Sequence, residues 1–449
     1  MKRRKAAKPI PKRTEFWNRL SVFPVIGIVL FASCASSNPY LKVDQEVSRG
    51  DYADGISYID SHKKKLYRNR DAVLFYLDKG MLTHYDRRYD DSIALLQDGE
   101  RAIEDAFTKS VTMEIGTYLL NDTTREYGGE DYEDIYINAF NALNYYHLDN
   151  LEDALVEIRR MNNKLRFLAS KYDIITTNLQ QKALEEHTDI PYNPESFAFN
   201  DSALARYLGI LFYRAVGNAD DARIDQDRLK LAFANAPDVY PYPVPASVDE
   251  ELSVPHGMAR LNVIGFSGLS PLKEESVIRI PLPYNRWMKI ALPVMVSRPS
   301  LVRRIEVTAG AAGRFTLELL EDIDAVAQET FKKKAEVIYF KSILRGVIKG
   351  TAASVLSAAA EDASGDTGLA LWLTSIGAQI VAEASERADL RISRYFPAKA
   401  WVGGINLNPG IYAVTVNYYN AQGRLIASSV NEVDVKAGNL NLVEALCTY

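Results

Sequence analysis

The chain has 449 residues, of which 47% are hydrophobic and 25% are charged. This composition supplies a large core, the length suffices for two or three domains, and wholesale disorder is excluded. The formal net charge is −5. Removing residues 1–33 deletes 8 of 53 basic and 1 of 58 acidic residues. The remaining 45 basic and 57 acidic residues give a net charge of −12. Such a charge disfavours nucleic acid or anionic lipid as a partner of the general surface.

The first 33 residues have the pattern of a secretory signal. A basic stretch precedes an apolar run over residues 20–33, which is short of the about 20 residues that span a membrane. The run ends in Phe31-Ala32-Ser33-Cys34, which resembles a bacterial lipobox with Cys34 as the lipidated residue. We predict a lipoprotein signal peptide over residues 1–33 and a tether over 34–39. An ordinary cleaved signal and an uncleaved anchor are the alternatives.

Lipidation of Cys34 predicts an attachment to a membrane of the cell envelope. Ala35, rather than an aspartate, follows the cysteine and is compatible with transport to an outer membrane, where the chain would face the periplasm. Cys447 is then left unpaired, which excludes an intrachain disulfide and a cysteine-based zinc site. We expect a structural thiol there.

Residues 121–160 predict two helices joined by a short turn. Gly128 and Gly129 interrupt any preceding helix, and Asp131 offers a capping carboxylate to the first helix. The loop of residues 147–150 is short, which favours antiparallel helices. Apolar residues recur at steps of three and four in both helices: Tyr132, Tyr136, Ala139, Leu143 and Tyr146, then Leu151, Ala154, Leu155, Ile158, Met161 and Leu165.

This hairpin resembles a tetratricopeptide (TPR) unit, because Ala142, Tyr145 and Ala154 match the small, aromatic and small positions of that repeat. The start of the second helix recurs along the chain as a polar turn residue, an aspartate and a small residue. The small positions are Gly55, Ser92, Ala154 and Ala222. We predict about four degenerate hairpins stacked as a helical domain over residues 40–236, with insertions at 105–129 and 171–202. Such an array offers a concave face for binding.

Residues 237–257 predict a proline-rich linker, and residues 258–449 a β-rich domain with inserted helices over about 322–394. The insertion includes a pair of helices rich in small residues, for which soluble packing is preferred to membrane insertion. The predicted fold class is α+β: a TPR-like hairpin array followed by a β-sandwich-like domain. Strands are expected at 259–266, 275–280, 288–296, 301–308, 314–320, 401–407, 411–418 and 425–435.

Three groups of residues carry a family resemblance. They are Asn121, Asp122, Tyr127, Gly129, Glu130, Tyr132, Glu133, residues 142–145, residues 154–157, Arg159 and Arg160; then residues 265–274; then residues 388–391 with Pro397. In these positions the chain resembles an uncharacterised group of bacterial TPR-like envelope lipoproteins. The resemblance implies an envelope lipoprotein with helical repeats and a C-terminal β-containing region. It also implies a link to cell-wall synthesis, but it does not imply any particular enzymatic reaction.

No familiar catalytic or metal-binding motif occurs in the sequence. The five histidines lack metal-ligand spacing, and HExxH, GxSxG, SxxK and P-loop motifs are absent. The acidic residues within 122–134 lack EF-hand order, so helix capping and a solvated face are expected for them. A solvated face is also expected for the three lysines at 332–334. We therefore predict no enzyme activity, no metal and no cofactor.

Binding is the expected role. Tyr127, Tyr132, Tyr136, Asn144 and Tyr145 are candidate partner-binding residues, because tyrosine supplies large contact area at low entropic cost. The principal hypothesis is a lipid-anchored envelope scaffold or adaptor that binds protein partners through its helical surface. A structural subunit that self-assembles into homo-oligomers is the second hypothesis. An enzyme without recognised motifs is the third.

Overall fold

The computed structural model describes residues 38–112, 122–185, 199, 201–282, 286–346 and 387–449. Residues 1–41 form one unit by their contacts, of which residues 38–41 are described, and Lys42–Tyr449 form a second, compact unit. The fold is mixed α+β, about half helical, with several antiparallel sheets. This confirms the α+β class. The proposed division at residues 237–257 stays a prediction, as does the signal peptide with Cys34, which lies outside the described residues.

Eleven α-helices occur among the described residues. They are α1 (Leu41–Arg49), α2 (Tyr52–Ser61), α3 (Lys63–Leu66), α4 (Ala72–Tyr85), α5 (Tyr89–Thr112), α6 (Asp131–His147), α7 (Leu151–Glu185), α8 (Ala203–Ala215), α9 (Ala219–Asn235), α10 (Ser247–Glu250) and α11 (Ile323–Gly346). Short 3-10 helices occupy Asn69–Asp71 and Asp122–Thr124.

Helices α4 and α5, α6 and α7, and α8 and α9 pack against each other as consecutive pairs. The predicted small residues lie at these contacts. A Cβ atom on Gly80 of α4 would lie 2.8 Å from Leu96 Cδ2 of α5, and Ser92 Oγ donates to the Gly80 carbonyl at 2.9 Å. The side chain of Asn150 caps α7 by accepting from the Asp153 N–H at 3.1 Å, as its position predicts. The helix pairs are therefore held close by residue size.

Ten strands form three sheets among the described residues. The strands are β1 (Ala259–Ser267), β2 (Leu272–Leu282), β3 (Arg286–Val296), β4 (Arg304–Ala309), β5 (Gly313–Thr316), β6 (Glu318–Asp322), β7 (Lys399–Leu407), β8 (Gly410–Tyr419), β9 (Leu425–Val435) and β10 (Asn441–Cys447). The inner sheet has the order β10-β1-β7-β6, the outer sheet has the order β5-β4-β8-β9, and β2 pairs with β3 alone. All pairs are antiparallel except β1 with β10.

Strand β1 lies at the centre of the fold and is buried along its whole length. Its side chains alternate between two environments. Leu261 and Val263 share one apolar core with β4 and β8 of the outer sheet. Asn262 and Phe266 point the other way, towards the helices, where the Phe266 ring lies 5.3 Å from that of Phe140. The inner sheet is therefore covered by the outer sheet on one face and by helices on the other.

Several elements differ from the sequence-based expectations. Residues 314–320 form parts of two short strands, β5 and β6, because the segment before Leu317 pairs with β4 and the segment after it pairs with β7. Helix α7 runs through the expected insertion at residue 171 and ends at Glu185. Strand β10 was not predicted. Most of the helix pair rich in small residues lies outside the described residues, and no helix in the described part of the chain is long and apolar enough to cross a membrane.

Candidate functional site

The five predicted partner-binding residues lie on α6 or just before it, and four of them are buried within the chain. Tyr127, Tyr132, Tyr136 and Asn144 are at most 3% exposed, whereas Tyr145 is half-buried and accepts a 3.3 Å hydrogen bond from Gln97. The inner side of α6 faces the chain's own sheets and not a solvent-filled groove. In this arrangement only Tyr145 of the five is accessible to a partner.

Helix α6 begins in a cluster of buried charges, which we call the Glu130–Glu133 cluster and which comprises Tyr127, Glu130, Glu133, Lys273 and Lys334. Glu130 forms ion pairs with Lys273 of β2 and with Lys334 of α11, the latter at 2.9 Å. Glu133 accepts from the Tyr127 hydroxyl at 2.9 Å and from the Glu130 N–H at 2.8 Å. Three elements from distant parts of the sequence thus meet at one helix end.

Local sequence explains why α6 starts there. Gly129 adopts a φ of +74°, which favours glycine, and a Cβ atom at this position would lie 2.9 Å from Ile103. Glu130 is the N-cap residue and Asp131 is the first residue of the helix. The prediction that Asp131 caps the helix is therefore wrong by one residue. Asp131 instead pairs with Lys171 of α7 at 2.6 Å.

The solvated-face interpretation is also wrong for most of these charges. Glu130, Asp131 and Glu133 are at most 5% exposed. Among the three lysines at 332–334, the side chain of Lys332 is 68% exposed, but those of Lys333 and Lys334 are 9% and 28% exposed. The sequence shows that charged residues are dense in these segments. Whether their side chains are buried depends on which other segments of the chain cover them.

Burial controls the electrostatics of this cluster. Together with the neighbouring charge of Glu130, it raises the pKa of Glu133 to about 7. Burial alone would lower the pKa of Lys334, but the carboxylates of Glu130 and Asp131 outweigh it and raise that pKa. A protonated lysine beside Glu130 therefore compensates the buried negative charge.

Residues 387–396 extend the same network towards the first helices. The Ser393 N–H donates to Glu133 Oε1 at 2.5 Å, and the Ser393 hydroxyl donates to Asp78 Oδ1 at 2.9 Å. Arg391 pairs with Asp389 at 2.8 Å and with Asp71 at 3.1 Å. Burial is the largest influence on Asp78 and raises its pKa to about 6. This segment thus connects α4 to the Glu130–Glu133 cluster.

The three groups of residues that carry the family resemblance converge on this place. Glu130 and Glu133 come from the first group, Lys273 from the second, and Asp389 with Arg391 from the third. The sequence offered no signal that these groups would meet, because they are separated by more than a hundred residues. The structure joins the first two groups by the buried ion pair of Glu130 with Lys273, and the Arg391 guanidinium of the third lies 5.3 Å from the centroid of the Tyr127 ring.

A second buried carboxylate, Glu321, joins the inner sheet to the helices. It accepts hydrogen bonds from the Tyr136 hydroxyl, from Ser202 Oγ and the Tyr240 hydroxyl at 2.7 Å each, and from the Leu204 N–H at 3.2 Å. An irregular register between Leu319 and Glu321 places Glu321 opposite Ala400, on the helix-facing side of the sheet. Burial raises the pKa of Glu321, while its four donors act in the opposite direction.

A third contact fixes strand β10 to the helices. Glu444 accepts from His84 Nε2 at 2.7 Å and from His147 Nε2 at 3.0 Å. His84 Nδ1 lies 2.6 Å from Asn144 Oδ1. The hydroxyl hydrogen of Ser92 is used in its bond to the Gly80 carbonyl, so Ser92 Oγ accepts from the amide nitrogen of Asn144. The amide oxygen of Asn144 therefore faces His84 as an acceptor. Both ring nitrogens of His84 therefore face acceptors, as in an imidazolium.

These three contacts can neutralise charge and fix the position of neighbouring elements. The carboxylates of Glu133, Glu321 and Glu444 accept hydrogen bonds from the chain itself, whereas Oε2 of Glu130 is buried without a hydrogen-bond partner. No group of His, Cys, Asp and Glu side chains with the geometry to hold a metal ion occurs among the described residues. The residues that sequence reasoning missed are Lys273, Lys334, Glu321, His84 and Glu444. The available signal was a charged residue within a mostly apolar segment, as at Glu444.

Comparison of the chain with protein-family models, with curated proteins and with solved structures finds no match. The family resemblance accordingly rests on the quoted residues.

Proposed function

We propose that this protein is a lipid-anchored adaptor of the cell envelope, facing the periplasm from the outer membrane, that binds protein partners through its helical surface and serves cell-wall synthesis. In this proposal the helix pairs are TPR-like repeats, and the inner and outer sheets form a β-sandwich-like module. The family resemblance and the lipobox-like residues from Phe31 to Cys34 support the location in the cell envelope. The rigid buried contacts between helices and sheets support a role in holding partners.

The binding surface is the outward side of the second helices of the pairs. Phe167 and Ile174 of α7 are 44% and 42% exposed, and Ile224 and Leu231 of α9 are 43% and 56% exposed. Each pair is seven residues apart, which places its members on one side of a helix. Exposed apolar side chains grouped on one side of a helix are typical of protein-binding surfaces. This is the observation that carries the proposal, and it differs from the concave face expected from sequence.

Affinity capture from detergent-solubilised envelopes tests the proposal. We expect the full-length wild-type chain to capture a distinct protein, and we expect Phe167→Ser with Ile174→Ser, or Ile224→Ser with Leu231→Ser, to lose it. Leu301→Ser with Ile411→Ser is the matched control, since these residues are 55% and 69% exposed but belong to the β region. Circular dichroism confirms that each variant is folded. Capture of no protein, or equal capture by the helix variants, contradicts the proposal.

A further inference from the structure

Strand β9 forms one edge of the outer sheet. It pairs with β8 in regular antiparallel register from Gly410 opposite Val435 to Tyr418 opposite Ala427. Within the described ranges, β8 is the strand that shares a ladder with β9, and no backbone hydrogen bond from Leu425–Val435 to another segment is found. Half of the backbone donors and acceptors of an edge strand point away from its neighbour. These groups are therefore available for a further strand.

From Ala427 to Val435 the edge lacks the features that usually prevent strand addition, because the register shift of β9 lies before Ala427, where Leu425 is opposite Tyr419. Natural edges are short or carry lysine, proline or bulges. Strand β9 has 11 residues, LIASSVNEVDV, with neither proline nor lysine. Val430, at its midpoint, is 67% exposed, and Leu425 is 56% exposed. Arg87 donates to Asn431 Oδ1 at 3.4 Å, but Asn431 points to the opposite side of the sheet from Val430.

The charges of β9 are arranged with opposite signs at its two ends. Arg424 precedes the strand, whereas Glu432 and Asp434 lie near its end, and all three are exposed. The residues between them are uncharged. Asp434 contacts Lys436 at 3.1 Å, but both side chains are more than half exposed, and such pairs contribute little. An antiparallel copy of the same strand with Ser429 at the two-fold axis would place Arg424 opposite Asp434 of the second copy.

We propose that the outer edge of β9 binds β9 of a second copy of this chain in antiparallel orientation, so that the outer sheet continues across a dimer. Pairing of identical edges is isologous, and it closes on itself without forming a fibre. The self-complementary charges favour a second copy over a foreign strand. This dimer is independent of the adaptor role, because it uses a surface of the β region and not the helices.

Sedimentation of the full-length chain in detergent tests the dimer. We expect the wild type to dimerise and Val430→Lys to raise the dissociation constant by about tenfold or more, because two ammonium groups would meet near the two-fold axis. Leu301→Lys is the matched control, since Leu301 is 55% exposed and precedes β4, which β8 separates from β9. It should leave the dimer intact. Circular dichroism and thermal unfolding show whether both variants fold.

Charge reversal tests the orientation. Arg424→Asp and Asp434→Arg should each weaken the dimer, and the double variant should restore it, because the attractive pairs are rebuilt with exchanged signs. A monomeric wild type, equal effects of Val430→Lys and Leu301→Lys, or no restoration by the double variant would overturn the proposal. Assembly of β9 only with a different envelope protein would overturn it as well. None of these results bears on capture through α7 and α9.

Discussion

Glu321 shows how one side chain connects several parts of this fold. Its carboxylate is fully buried and accepts from α6, from the start of α8, and from Tyr240 in the proline-rich segment. The N–H of Leu204 lies in the first turn of α8, where the helix dipole favours a negative charge. Four donors therefore replace the water that a buried carboxylate loses, without a cation among its hydrogen-bond partners.

Removal of this acceptor should be costly. We predict that Glu321→Leu lowers the free energy of unfolding by about 3 kcal/mol, because it leaves several buried donors without partners. Tyr136→Phe removes one donor, while Ser202 still occupies Oε1, so a loss of about 1 kcal/mol is expected. Urea unfolding followed by circular dichroism measures both. A Glu321→Leu variant as stable as the wild type would show that the four hydrogen bonds contribute nothing net.

At the scale of elements, β10 is fixed by both of its faces. Val443 and Ala445 enter the core between the sheets, and Glu444 points to His84 and His147 on the helices. Burial alone would raise the pKa of Glu444 and lower that of His84. The attraction between His84 and Glu444 outweighs burial, and His147 attracts Glu444 as well. The pKa of Glu444 is therefore lowered and that of His84 is raised. Strand β10 is thus attached to the helices by a buried ion pair.

These shifts predict a pH dependence of stability. The raised pKa of His84 stabilises the fold below its ordinary value of 6.5, and this contribution is lost as the pH rises through the folded-state pKa. The lowered pKa of Glu444 stabilises the fold above 4.5, and that contribution is lost as the pH falls. The stability difference between the wild type and Glu444→Gln should therefore be largest between about pH 4.5 and 6.5.

Chemical unfolding at a series of pH values measures this difference. Glu432→Gln serves as the control, because Glu432 is exposed on β9, and its difference from the wild type should stay nearly constant. A difference for Glu444→Gln that is flat across the range, or that grows above the neutral region, would contradict an ion pair at β10.

At the scale of the whole molecule, helices and sheets belong to one compact unit from Lys42 to Tyr449. The Glu130–Glu133 cluster, Glu321 and Glu444 lie at three places where helices meet the β region, and each joins segments far apart in sequence. Because the inner sides of α4, α6 and α8 are used in these contacts, the proposed partner binding uses the outer side of the helices. A lipid anchor at Cys34 would tether this unit to the envelope.

The anchor prediction is tested by Cys34→Ala. The wild-type chain should incorporate labelled lipid and sediment with membranes, whereas the variant should do neither, because a thiol is needed for lipid attachment. Uptake of label by the variant, or equal membrane association of both chains, would contradict lipidation at Cys34. Cys447 serves as the internal control, since it is 3% exposed and should not take up lipid in either chain.

The sequence alone determined the features that depend on neighbours along the chain. The starts of α2, α5, α7 and α9 follow from turn residues and from a small side chain three residues into each helix. Most strands follow from alternation. It did not predict β10, whose parallel pairing with β1 joins residues far apart in sequence. It also placed Tyr127, Tyr132, Tyr136 and Asn144 on an open face. Only the tertiary structure decided that the chain's own sheets cover them, because burial depends on contacts between distant segments, which local patterns do not encode.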